Sequence, residues 1–187
     1  TLILLSVTVC PKDHRHNKMV RLESTINRAI AVIQPTTGNK VRGVFKFRQK
    51  ADGVLVSGIL SGLTPNSQHG VHIHQFGDIS DGDTGKSAGG HYNPDKLPHG
   101  LPPNKVRHPG SFGNVTANDK GEAMFEMLDH TITLVGIKNP IIGRSVVVHA
   151  NRDTGEQPAG NAGPRIGVGV IGIAKSAAKK GKKLATK

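Results

Sequence analysis

Residues 70–78 read GVHIHQFGD, with histidines at positions 72 and 74. On an extended strand that two-residue spacing turns both imidazoles to one face, their backbone anchors about 7 Å apart, as two ligands of one metal require. The flanking chain supports the extended reading. Working outward, INRAIAVIQP (26–35), KVRGVFKFRQK (40–50), GVLVSGIL (53–60), GNVTAN (113–118), EAMFEML (122–128), SVVVHAN (145–151) and IGVGVIGIA (166–174) are short, Val- and Ile-rich runs. They alternate rather than repeat every 3.6 residues, and turn residues bound them. KADG (50–53) and NDKG (118–121) place glycine where a hairpin turn needs positive φ. About eight such runs and no convincing helix predict an all-β fold, an antiparallel sandwich or barrel.

Two long connections, residues 77–112 and 150–164, interrupt this regularity. Loops of that length in a compact domain usually carry function. A lone His-x-His is a weak metal signal, but here the first loop adds His91 in SAGGHYNP, His99 in LPHG and His108 in RHPG, and SVVVHAN adds His149. Imidazole suits copper and zinc. A second pair, His14 and His16, lies in a charged N-terminal stretch and reads as exposed; His69 and His130 are single and read as structural.

The chain has 187 residues, a length suited to one domain, and a net charge of +12. Its one cysteine, Cys10, excludes an intrachain disulfide and a Cys-rich zinc module. No stretch of about 18 apolar residues spans a membrane. Residues 175–187, KSAAKKGKKLATK, hold six lysines and no acid, so they supply +6; residues 1–25 supply +2, leaving +4 for residues 26–174. The chain therefore divides into an N-terminal extension (1–25), a mildly basic body (26–174) and a basic tail (175–187). The extension begins TLILLSVTVC, either the remainder of a secretory signal peptide or a strand packed on the core. The tail is either a solubilising terminus or an electrostatic anchor for a sulfated glycan, nucleic acid or acidic surface. Nucleic acid is the minor alternative, because the charge is so unevenly placed.

Over residues 26–174 the sequence resembles the copper/zinc superoxide dismutase family: GVHIHQFGD, SAGGHYNP, GNVT, IIGRSVVVH and GNAGPR followed by GVIGIA occur in the family's order. The resemblance implies an eight-stranded Greek-key β-barrel with two long active-site loops. It also implies a homodimer, to which the GVIGIA strand and the GD segment after Phe76 contribute. By the same resemblance His72, His74, His91 and His149 are copper ligands, His91 bridges to zinc, and His99 and His108 complete the histidine ligands of zinc. Asp153 is the carboxylate that bonds ligand histidines of both sites. Arg165 orients anionic superoxide beside copper, a task suited to a permanently charged guanidinium.

The sequence also departs from the family. Ser111 stands where an aspartate completes the zinc site, so that site loses a negative charge and is expected to be weakened or completed by water. The family's disulfide is absent: one cysteine position falls among Thr84, Gly85 and Lys86, and its partner is Val168. The run DISDGDTGK (78–86) is longer than the usual connection, and ANRDTGEQPAG (150–160) is shorter than the usual charged loop. Two readings follow: a copper-dependent dismutase with a degraded zinc site, or a dismutase-like metal carrier or structural extracellular protein with little turnover. The basic tail resembles in arrangement that of extracellular members, pointing to a heparin-like partner at Lys179, Lys180, Lys182 and Lys183 and to an extracellular rather than cytoplasmic location. Asn114 in GNVT is either a glycosylation sequon or a structural residue.

Overall fold

The computed structural model describes residues 26–175; Cys10, His14, His16 and the tail lysines from Lys179 onward lie outside the described residues. Eight strands follow in order: β1 (Arg28–Pro35), β2 (Arg42–Gln49), β3 (Val54–Ser61), β4 (Gln68–His74), β5 (Ser111–Thr116), β6 (Ala123–Asp129), β7 (Ser145–His149) and β8 (Arg165–Ile173). Every pairing is antiparallel, in the spatial order β5-β4-β7-β8-β1-β2-β3-β6. The neighbours β4–β7, β3–β6 and β8–β1 are distant in sequence, as Greek-key connections require. The outermost strands β5 and β6 approach without a hydrogen-bonded ladder, so the barrel is nearly closed. Among the described residues the only helical turn is a short 3-10 segment at Lys86–Ala88, and no helix is long and apolar enough to cross a membrane.

Alternation explains most strands. In β1, Ala29, Ala31 and Ile33 are buried while Val32 and Gln34 face out; in β3, Val54, Val56, Gly58 and Leu60 face in. Phe45 and Phe47 of β2 fill the interior against Phe125 and Phe112, at ring separations of 6.1 and 6.5 Å. Gly58 is required there, because a Cβ would lie 2.6 Å from the Phe45 ring. Strand β4 breaks the alternation: His69 through His74 are all buried. One face meets the core and the other lies beneath the long loops, so the His72–His74 pair sits inside the protein.

A third long connection, residues 130–144, joins β6 to β7 and was not distinguished by the sequence pattern. Its Ile132, Leu134 and Ile141 are buried in the core, which gives the segment the apolar look of a strand, yet it makes only an isolated bridge, Thr133 to Pro140.

The first long loop is secured without a disulfide. Of the three candidate positions, Gly85 faces Val168: a Cβ there would lie 3.8 Å from Val168 Cγ1. In place of a covalent link, the Arg165 guanidinium donates to the carbonyls of Gly85 and Gly89. The far end of the loop is pinned by a buried ion pair, Arg107 Nη2 to Asp129 Oδ2 at 2.9 Å. Arg107 also donates to the carbonyls of Asn104 and Ser111, and Asp129 accepts from the Thr131 amide and hydroxyl. Removing one partner of a satisfied buried pair strands the other charge. Asp129→Asn or Arg107→Ala should therefore lower the unfolding free energy by about 3–5 kcal/mol in urea titrations, whereas replacing both with apolar residues of similar volume should cost clearly less.

Candidate metal centre

Adjacent strands carry the two ends of the site. β4 pairs with β7, and His74 lies opposite Ser145 while His149 ends β7. The first loop then folds back on β4: Gln75 and Tyr92 amides donate to the carbonyls of Gly90 and Ile73, and His91 forms a bridge with His74. This return needs Gly89 at φ 76, where a Cβ would meet Gln75 and the Phe76 ring.

The histidines form two clusters sharing one member. In His72, His74, His91 and His149 the candidate ligand atoms lie within 4.8 Å of one another, and the same holds for His91, His99 and His108. Nε2 of His74 and Nε2 of His149 are 3.3 Å apart, while their Nδ1 atoms are bonded to the carbonyls of Gly89 and Gly163. Each ring is thereby locked with Nε2 toward the cluster. His91 Nδ1 lies 3.2 Å from His108 Nδ1, leaving Nε2 for the four-histidine side.

Asp153 stands behind both clusters. His72 Nε2 donates to Oδ2 at 2.6 Å, and His99 Nε2 donates to the same carboxylate at 2.9 Å. The other nitrogens of these two rings, His72 Nδ1 and His99 Nδ1, are buried and have no hydrogen-bond partner. A buried polar atom without a partner is costly and calls for an explanation. One such atom points into each cluster, which fits a metal ion in both: nitrogen-rich sets of four and of three ligands suit copper and zinc.

Electrostatics keep the rings in ligand form. Burial depresses His72, His74, His91, His108 and His149, the last to about 3, and the neighbouring imidazoles press in the same direction. Neutral rings hold lone pairs for a cation. Burial would raise the Asp153 carboxyl, but hydrogen bonds from His72, His99 and the Gly155 amide outweigh it and hold the group well below the usual carboxylate range.

Three positioning residues carry no clear sequence signal for this role. Asn114 clasps the Asp153 backbone, accepting from its amide at 2.7 Å and donating to its carbonyl at 2.9 Å. That pair of hydrogen bonds engages the side-chain amide of the GNVT sequon and supports its structural reading. Gln157 does the same for His99, with bonds of 2.9 and 2.8 Å that tie the second loop to the first. Gly160, at φ 76, lets Asp153 and His99 meet, since a Cβ would fall 1.9 Å from Asp153 Oδ1. Ser111 is fully buried, and its hydroxyl donates to the Gly100 carbonyl at 2.9 Å. No carboxylate joins the three-histidine cluster among the described residues. Arg165 sits at the edge of the four-histidine cluster, where its charge adds to the depression of His74 and His149. His69 and His130 stand apart: His69 bonds Ser67 and the His149 carbonyl, and His130 bonds the Asp52 carbonyl.

If the shared carboxylate orients both clusters, Asp153→Asn should weaken metal retention about 10–100-fold, measured by competition with a chelator. Gly160→Ala should produce the same loss with every ligand still present.

The comparisons agree with this geometry. Residues 41–171 match the family model described as copper/zinc superoxide dismutase. A "Superoxide dismutase [Cu-Zn]" of Paramecium bursaria Chlorella virus 1 is 43% identical over 154 residues, 79% of each chain. A protein of the same name from Saccharomyces cerevisiae is 43% identical over 155 residues, 78% of this chain and 97% of the relative. An "Extracellular superoxide dismutase [Cu-Zn]" of Brugia pahangi is 39% identical over 176 residues, 87% and 86%. With a barrel of this strand order, two histidine clusters sharing His91 and this breadth of match, the chain belongs to the copper/zinc superoxide dismutase family.

Proposed function

We propose that the chain dismutates superoxide at copper held by His72, His74, His91 and His149, beside a weakened zinc site of His91, His99 and His108. The observation that carries this reading is the shared His91 between a four-imidazole and a three-imidazole cluster, with Asp153 bonded to one ring of each. Copper, when bound, supplies the one-electron couple by which one superoxide is oxidised to dioxygen and a second, with two protons, is reduced to hydrogen peroxide. Arg165 offers a guanidinium whose position is fixed by the Gly85 and Gly89 carbonyls, so an anion is oriented without rearrangement. His91 turns Nε2 to the four-histidine side, the atom at which it would hold or release a proton, and burial keeps its ring neutral.

The opening beside His91 and His149 is walled by Pro158, Ala159, Asn161, Ala162 and Gly163, none charged. Substrate attraction therefore falls largely to Arg165. Arg165→Ala should lower kcat/KM for superoxide, expressed per bound copper, by about tenfold or more and flatten its dependence on ionic strength. Copper-loaded wild-type protein that does not outpace free copper would leave only the reading as a metal carrier or structural extracellular protein.

On the zinc side, Ser111 is neutral and its hydrogen is directed to Gly100, so three neutral imidazoles remain to balance a dication. Protein purified without added metal should hold less than one zinc per chain, and Ser111→Asp should tighten zinc by about tenfold or more, equivalent to about 1.4 kcal/mol. One tightly held zinc per wild-type chain would refute the weakened site.

A homodimer accounts for the apolar surface left on the outer face of β1, where Val32 is 50% exposed, and beside Gly77, which packs against Val170. The six lysines from residue 175 onward support a tether to heparin-like polyanions, and the similarity to a relative named extracellular supports the same setting.

A further inference from the structure

A groove of about 660 Å³ crosses β8, β1, β2 and β3 on the outer face of the barrel, away from the histidines. Arg28, Lys46, Arg48 and Lys175 line it, with Ser57 as the small residue that keeps it open and Glu126 as the one acid in its lining. The register places Arg28 directly opposite Arg48, while Lys46 follows on the same face of β2 and pairs with Ser57. Like charges placed opposite each other repel across a ladder. Among the described residues none of these four cations forms an ion pair.

Lys175 connects the groove to the basic tail. The Ala174 amide donates to the Arg28 carbonyl at 3.1 Å, which holds the end of β8 against the groove, and five more lysines follow Lys175 in the sequence. A concave row of cations that continues in sequence into a lysine-rich segment complements a linear polyanion. Base stacking has no platform here, since the one aromatic lining residue, Phe47, is buried.

We propose that this groove is the barrel's own binding site for a sulfated glycan chain, extending onto folded structure the contact assigned above to the tail, a reading on which it rests. The glycan would run along Arg48, Arg28 and Lys46 and leave past Lys175.

The test uses the full-length chain on immobilised heparin, with elution salt and the slope of log affinity against log salt as readouts. Lys46→Gln with Arg48→Gln should elute at clearly lower salt, with a slope reduced by about two. Lys105→Gln with Lys138→Gln removes the same charge from a different part of the surface and should stay close to wild type. If the two double variants elute together, the groove is overturned and only net charge matters. Replacing Lys179, Lys180, Lys182 and Lys183 with Gln tests the tail separately: unchanged retention would defeat the tail reading, while a loss there with no groove effect would defeat the groove alone. Duplex DNA that binds more tightly than heparin with the same dependence on Lys46 and Arg48 would overturn the glycan assignment. Unchanged dismutase activity in each variant confirms that the barrel is intact.

Discussion

The carboxylate of Asp153 is the constraint on which the metal centre depends. It is fully buried and accepts from a ring in each cluster, so it sets the tautomer and orientation of His72 and His99 together. Each of those rings is left with one free lone pair, and the two clusters receive one apiece. An isolated buried carboxylate would be expensive, but this one is met by two imidazole N–H groups and the Gly155 amide. The bare backbone of Gly160 makes room for it, and Asn114 fixes the backbone from which it projects.

Two features of the first long loop bear on charge and restraint. Ser111 is neutral and fully buried, and its hydroxyl is spent within the loop on the Gly100 carbonyl. Gly85 lies against Val168, and polar contacts hold this part of the loop: Arg165 to the Gly85 and Gly89 carbonyls, and Thr37 to Asp83. Arg165 thus joins two tasks, holding the loop and presenting a positive charge beside the four-histidine cluster.

Strands were legible because β-runs such as RAIAVIQP and VLVSGILS alternate and are bounded by turns. The histidine set was legible because His-x-His on a strand and three loop histidines make a pattern dense enough to specify chemistry. The 130–144 connection was not, because Ile132, Leu134 and Ile141 plug the core without forming a ladder and so carry a strand's composition. Gln157 and Gly160 were also hidden. The Gln157 contact to His99 spans 58 residues, and nothing local distinguishes a glutamine that clasps a distant backbone from one that faces water. For Asn114, the sequence offered a sequon and a structural residue equally, and only the two bonds to Asp153 favour the second.

The Gln157 clasp has a mechanical corollary. It binds both the amide and the carbonyl of His99, and Thr154 and Gly160 close the second loop on itself through a backbone bond of 2.8 Å. The two long loops are therefore one cooperative unit rather than independent flaps. Movement of the first loop at His99 therefore has to break the Gln157 contacts, and with them the hold on the segment that walls the opening beside His149.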